Sequence, residues 1–260
     1  MAFYLSVQPY FFSYLRVVRG LDIQPSSYIL NIFNQAATVS SVIVSLLIKF
    51  THRYKWFVFI GTGLYMLGMG LMMHYRTETA PLSAIIGTQI LIGFGGGMLN
   101  VPAQLGVQAS AGHQQLAVAT AMFLTLISLG GAVGSAISGA IWTQMVPSKL
   151  AAYLPDDAKN QTMLLFGDFN QALLYPQGSP VRVAVNRSYQ ETMTTLLTIA
   201  VCICAPVIIC ALIMTDYKLD EMEQGVKGKV IGGVVDENRK KTEKGSFFGN
   251  LANKFRNRSS

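Results

Sequence analysis

Residues 84–110 read AIIGTQILIGFGGGMLNVPAQLGVQAS, a run with no acid or base anywhere in it. A helix needs roughly 20 residues to cross a hydrocarbon core, and this run exceeds that length. Its composition is not uniform. Gln89, Gly93, Gly96 or Gly97, Asn100, Gln104 and Gln108 recur at near-regular steps of four, which gathers amides and glycines on one helix face. Amides facing lipid are costly, so this face meets either a neighbouring helix or a water-filled path. Pro102 removes a backbone hydrogen bond and frees the carbonyl of Met98, so the spacing predicts a bent helix.

The rest of the chain repeats the pattern. Apolar residues make up 51% of it and charged residues only 13%, well below the roughly one-quarter of ordinary soluble domains. Four further uncharged or nearly uncharged runs are long enough to span: Tyr28–Phe50, Trp56–Tyr75, Val118–Val146 and Thr194–Thr215. Phe3–Leu15 is shorter, contains Pro9, and reads as the end of a sixth span; it has no basic flank or small-residue cleavage site of the kind a signal peptide carries. The acids stand outside these runs, at Asp22, Glu78, Asp156, Asp157, Asp168 and Glu191 and then from Asp216 to Glu243. A charge at the bilayer centre costs at least about 2.5 kcal/mol, which gives that distribution its meaning. The expected fold is an all-α integral membrane bundle of about five full transmembrane helices plus one partial, and a soluble enzyme is excluded.

Four regions follow: transmembrane helices over 1–146, a long external loop with short helices over 147–192, the last transmembrane helix over 193–216, and a basic tail over 217–260. The net charge of +7 comes mostly from the tail, where Lys218, Lys227, Lys229, Arg239, Lys240, Lys241, Lys244, Lys254, Arg256 and Arg258 place the C-terminus in the cytoplasm by the positive-inside bias. These bases alternate with acids and glycines, which favours a solvated segment attracted to anionic lipid headgroups over a nucleic-acid binder. The basic His52-Arg53-Tyr54-Lys55 turn then also faces the cytoplasm. Two glycosylation acceptor patterns, at Asn160 and Asn186, fall in the external loop.

In Tyr28–Phe50 the residues Asn31, Asn34, Gln35, Thr38, Ser41 and Ser45 form a second polar stripe. Two such stripes on separate helices make Asn31, Asn34, Gln35, Gln89, Asn100 and Gln104 candidates for lining a central cavity, with interhelical hydrogen bonding as the alternative role for each. Small-residue rows through Gly130, Gly134 and Ser138, and through Gly131, Ser135 and Gly139, predict close helix packing. In the loop, aromatic residues beside Arg182 and Arg187 suit an anionic or aromatic solute at a cavity mouth; Arg182 and Tyr189 are the candidates there, against a self-packed cap or an interfacial anchor. Cys202, Cys204 and Cys210 read as packing residues, and His52, His74 and His113 stand apart from one another. No nucleophile–base set, phosphate loop, cofactor site or metal cluster emerges, so catalysis is not expected.

Several segments resemble the fungal siderophore–iron transporters of the major facilitator superfamily: Phe11-Phe12-Ser13-Tyr14-Leu15-Arg16-Val17-Val18, Tyr28-Ile29-Leu30-Asn31, Tyr175-Pro176-Gln177-Gly178-Ser179-Pro180-Val181-Arg182 leading into Asn186-Arg187-Ser188-Tyr189, and Lys227-Gly228-Lys229-Val230-Ile231-Gly232. The resemblance implies the C-terminal half of a carrier of about fourteen helices that imports ferric siderophore with protons, paired with an N-terminal half that holds the coupling residues. It implies a plasma or endosomal vesicle membrane. Half of a proton-coupled drug exporter, or a non-transporting protein derived from a half-transporter, are the competing readings.

Overall fold

A computed structural model describes residues 1–3, 10–77, 80–111 and 113–214, and the described residues contain helices and no strand. The basic tail expected over 217–260 lies outside them, as do 4–9 of the sixth span. The elements are α1 (Phe11–Val17), α2 (Ile23–Thr51), α3 (Lys55–Tyr75), α4 (Leu82–Ser110), α5 (Leu116–Tyr153), α6 (Thr162–Gly167), α7 (Phe169–Leu173) and α8 (Pro180–Ile213). Of these α2, α3, α4, α5 and α8 are long and apolar enough to cross a membrane. The chain is a multi-pass, all-α membrane bundle.

Glycine decides how the first three long helices meet. A Cβ on Gly93 would sit 2.6 Å from the Phe33 carbonyl oxygen, and one on Gly97 would sit 2.3 Å from that of Ala37, so α4 lies backbone to backbone along α2. The register rises in both, making the pair parallel. Ser40 Oγ donates to the Phe94 carbonyl at 2.8 Å across the same seam. On another side of α4, a Cβ on Gly95 would sit 2.6 Å from the Tyr65 backbone nitrogen, while Gly61 and Gly68 of α3 admit Met98 and Ile92. Close approach of small residues is how membrane helices associate where no hydrophobic drive separates lipid from protein.

The main core gathers α1, α3, α4, α5 and α8 around Phe11, Tyr14, Met69, Met72, Ile92, Val146, Leu196 and Leu197. At one end of α5 and α8, Glu191 accepts from Lys149 at 2.5 Å, from Tyr153 Oη at 3.0 Å and from Arg187 Nε at 3.0 Å, tying the two helices together. The first half of α5 is different: Val118, Met122, Leu124, Leu126, Ile127 and Leu129 are all exposed. A helix that is apolar all round belongs in lipid or among further helices.

Three expectations change. The connection expected over 147–192 shrinks to 154–179, because α5 continues through Pro147 to Tyr153 and α8 begins at Pro180. Pro180 occupies the first helical turn, where its missing N–H leaves nothing unpaired, and Ser179 Oγ caps the turn by accepting from Arg182 N at 3.3 Å. The small-residue rows of α5 divide: Gly131, Gly134 and Ser138 are buried, while Gly130 and Gly139 do not make the tight contacts of the α4 glycines. A Cβ at Gly130 would stand 3.7 Å from Met1 N, and one at Gly139 would stand 3.6 Å from Tyr10 Oη, both ordinary contacts; Gly134 is buried. The glycosylation expected at Asn186 conflicts with its place on α8, where it is 1% exposed and has no room for a glycan, whereas Asn160 is exposed.

A polar face along α2 and α4

Apart from Ser41, whose Oγ reaches the Gly97 carbonyl at 3.5 Å, the polar stripe of α2 lies on the flank turned away from the buried row of Ile29, Ala36, Ser40, Val44 and Ile48 that packs on its neighbours. Within the stripe, Asn31 Nδ2 donates to the Ser27 carbonyl at 3.0 Å, Thr38 Oγ1 to that of Asn34 at 2.8 Å, and Ser45 Oγ to that of Ser41 at 2.8 Å. These bonds to the preceding turn leave acceptor groups facing outward. The side chains of Asn34 and Gln35 are exposed and make no hydrogen bond among the described residues.

Asn31 and Gln35 come together in an open groove of about 570 Å³, lined also by Tyr28, Ile32, Ala36 and Val39 of α2 and by Ile90 and Phe94 of α4. That volume falls in the range of small-molecule sites, roughly 300–1,000 Å³. The lining combines two amides, a phenol, a phenyl ring and aliphatic surface, with no charged side chain. Such a wall offers hydrogen bonds and stacking to a bulky neutral solute and offers nothing to balance a bare charge.

The α4 stripe divides. Asn100 is exposed and Gln104 half-buried, farther along the helix than the groove. Gln108 Nε2 donates to Thr120 Oγ1 of α5 at 3.1 Å, the interhelical role. Gln89 is fully buried, and neither its Oε1 nor its Nε2 has a hydrogen-bond partner among the described residues. It does not line the groove.

Arg182 and Tyr189, expected at an open mouth, are packed inside. Arg182 is 2% exposed and donates to the Val17 and Ala172 carbonyl oxygens, clasping α1 and α7 to α8. Tyr189 stacks edge-on against Trp142, ring centroids 4.9 Å apart. Pro180 starts a helix upstream of both, and helical spacing turns 182, 185, 186 and 189 to the core. The packed cap, rather than the receiving surface, describes this end.

Sequence reasoning passed over Arg76. It stands one residue past α3 and reads as an ordinary loop base, yet it is 2% exposed, its guanidinium 4.3 Å from the Phe11 ring centroid and 5.7 Å from that of Tyr14. Burial pushes it down to about 10, with nearby Tyr14 pulling the other way, so it stays a cation at neutral pH.

Five long apolar helices, a glycine-sealed helix triplet and an uncharged polar face together define a polytopic membrane helix bundle. The comparisons with known proteins agree. The chain is 51% identical over 224 residues to the siderophore iron transporter mirC of Emericella nidulans, an alignment covering 86% of this chain and 37% of that protein. It is equally similar to the MFS siderochrome iron transporter C of Aspergillus fumigatus, and 37% identical over 223 residues to the MFS siderochrome iron transporter 1 of Ajellomyces capsulatus. The chain thus spans a little over a third of the length of these relatives. No family model matches it, and no solved structure matches it.

Proposed function

We propose that this chain is one portion of a secondary carrier for ferric siderophores, and that the outward face of α2, with the exposed part of α4, lines its substrate path. The similarity to siderophore iron transporters over 86% of the chain supports the substrate class. The observation that carries the site is the groove holding Asn31 and Gln35 beside Tyr28 and Phe94 with no charge in its lining. Iron(III) held by three singly charged bidentate oxygen ligands has no net charge, and its ligand oxygens accept hydrogen bonds from amide N–H groups. An uncharged, amide-bearing wall fits that solute better than it fits a cationic drug.

Import coupled to protons needs an acid that gains and loses a proton within the membrane. Among the described spans the one carboxylate is Glu191, already held by Lys149, Tyr153 and Arg187. Coupling therefore falls to residues elsewhere in the complete carrier, and the exposed first half of α5 is the surface its other helices would cover. The C-terminus faces the cytoplasm in this arrangement, and the carrier resides in the plasma membrane or in endosomal vesicles. The test is uptake of radiolabelled iron from ferric siderophores by cells lacking their own uptake systems and expressing the complete carrier. Uptake that collapses with the proton gradient fits. A carrier that reaches the surface and moves no ferric siderophore sinks the reading.

A further inference from the structure

Arg76 and Arg182 are both buried guanidiniums lying against α1, and they are held in different ways. Arg182 is clamped by two carbonyl oxygens. Arg76 lies over the rings of Phe11 and Tyr14 and donates from Nη1 to the thioether of Met193 at 3.5 Å, a weak acceptor. Its Nε and Nη2 have no acceptor among the described residues and are sealed from solvent.

Those two nitrogens form one edge of the guanidinium fork, the edge whose parallel N–H bonds match the two oxygens of a carboxylate. The rings of α1 lie beside the guanidinium, and among the described residues no acceptor meets that edge. A buried cation with unmet donors is costly, so an acceptor at that edge stabilises the fold strongly. Among the described residues the carboxylates are placed elsewhere: Asp22 is exposed with Arg16 at 3.9 Å, Glu191 holds three donors, Asp156 pairs with Lys159, Asp157 is exposed and Asp168 caps α7, while Glu78 lies outside the described residues. We propose that Arg76 is a carboxylate site, taking the group bidentate along Nε and Nη2, and that the rings of α1 hold the guanidinium in plane to receive it. The carboxylate comes either from a side chain of the complete carrier or from a carboxylate-bearing ferric complex during transport. The second source rests on the carrier function proposed above; the first does not.

The experiment uses the complete carrier with Arg76→Met, which keeps bulk and loses the charge, and Arg76→Lys, which keeps the charge and loses the fork. Uptake is measured for one ferric complex bearing free carboxylates and for one bearing none, alongside melting in detergent from pH 5 to pH 8. Both variants are expected to reach the membrane and to transport about tenfold less than the original, the scale of a coupling interaction. A loss for both complexes assigns the carboxylate to the carrier; a loss confined to the carboxylate-bearing complex assigns it to the solute. Uptake by Arg76→Lys at the original rate overturns the site, since a point charge over two rings would then suffice. Should Arg76→Met fail to accumulate, Arg76→Lys decides alone. If the original carrier moves neither complex, the transport reading falls and melting decides. An orphaned buried carboxylate in Arg76→Met is relieved by protonation, so the variant gains on the original as pH falls; parallel profiles overturn the site.

Discussion

Gly97 and Ala37 stand so close that a Cβ on the first would lie 2.3 Å from the carbonyl oxygen of the second. Together with the approach of Gly93 to Phe33, this contact sets the spacing of α2 and α4 beside the groove that Asn31 and Phe94 share.

Gly97→Ala is expected to force the two helices apart and to destabilise the bundle by about 1–3 kcal/mol, the usual scale of overpacking. Gly87→Ala on the same helix meets nothing within 4 Å and is expected to be neutral or to gain up to about 1 kcal/mol from helix propensity. Thermal unfolding of the purified protein in detergent separates them, and equal effects would contradict the seam.

The clasp at Arg182 is also testable by stability. Arg182→Gln strands the carbonyls of Val17 and Ala172, and a lost charge-assisted bond inside the core is worth about 3 kcal/mol. Melting as in the original protein would show that α1 is held by other contacts.

These two glycine and arginine features differ in how far the sequence discloses them. The spans were legible because charge is excluded from lipid, and the polar stripe of α2 was legible because helical spacing fixes which residues share a face. The α4 stripe was legible as a face and ambiguous as a role, since Gln108 bonding Thr120 and Asn100 facing outward carry the same residue signature. The boundaries near Pro147 and Pro180 misled because proline both breaks helices and starts them, and the Ser179-Pro180 cap was the signal that decides. The burial of Arg76, Arg182 and Tyr189 was hidden because a base or tyrosine beside a span looks like an interfacial residue until its neighbours across the bundle are known.

Asn160 and Asn186 share the acceptor pattern and differ in exposure. In cells that glycosylate, Asn160→Gln is expected to abolish a glycosidase-sensitive mobility shift and Asn186→Gln to leave it unchanged. The reverse result would place 180–190 outside the core.

The Glu191 cluster joins α5 to α8 from a partly exposed position. Glu191→Gln is expected to destabilise by about 1 kcal/mol, less at 1 M salt, where the Debye length falls to about 3 Å. Unfolding midpoints of the two proteins at low and high salt give the comparison, and a salt-independent difference would mean the carboxylate acts through packing alone.

The most direct measurement concerns Asn31 and Gln35. In the complete carrier, Asn31→Leu with Gln35→Leu removes both amides from the groove while leaving the buried row of α2 untouched. Iron uptake from ferric siderophore is expected to fall about tenfold or more, since each lost hydrogen bond is worth about 1 kcal/mol, with surface level and melting temperature unchanged. Uptake at the original rate and affinity would contradict the assignment of this face to the substrate.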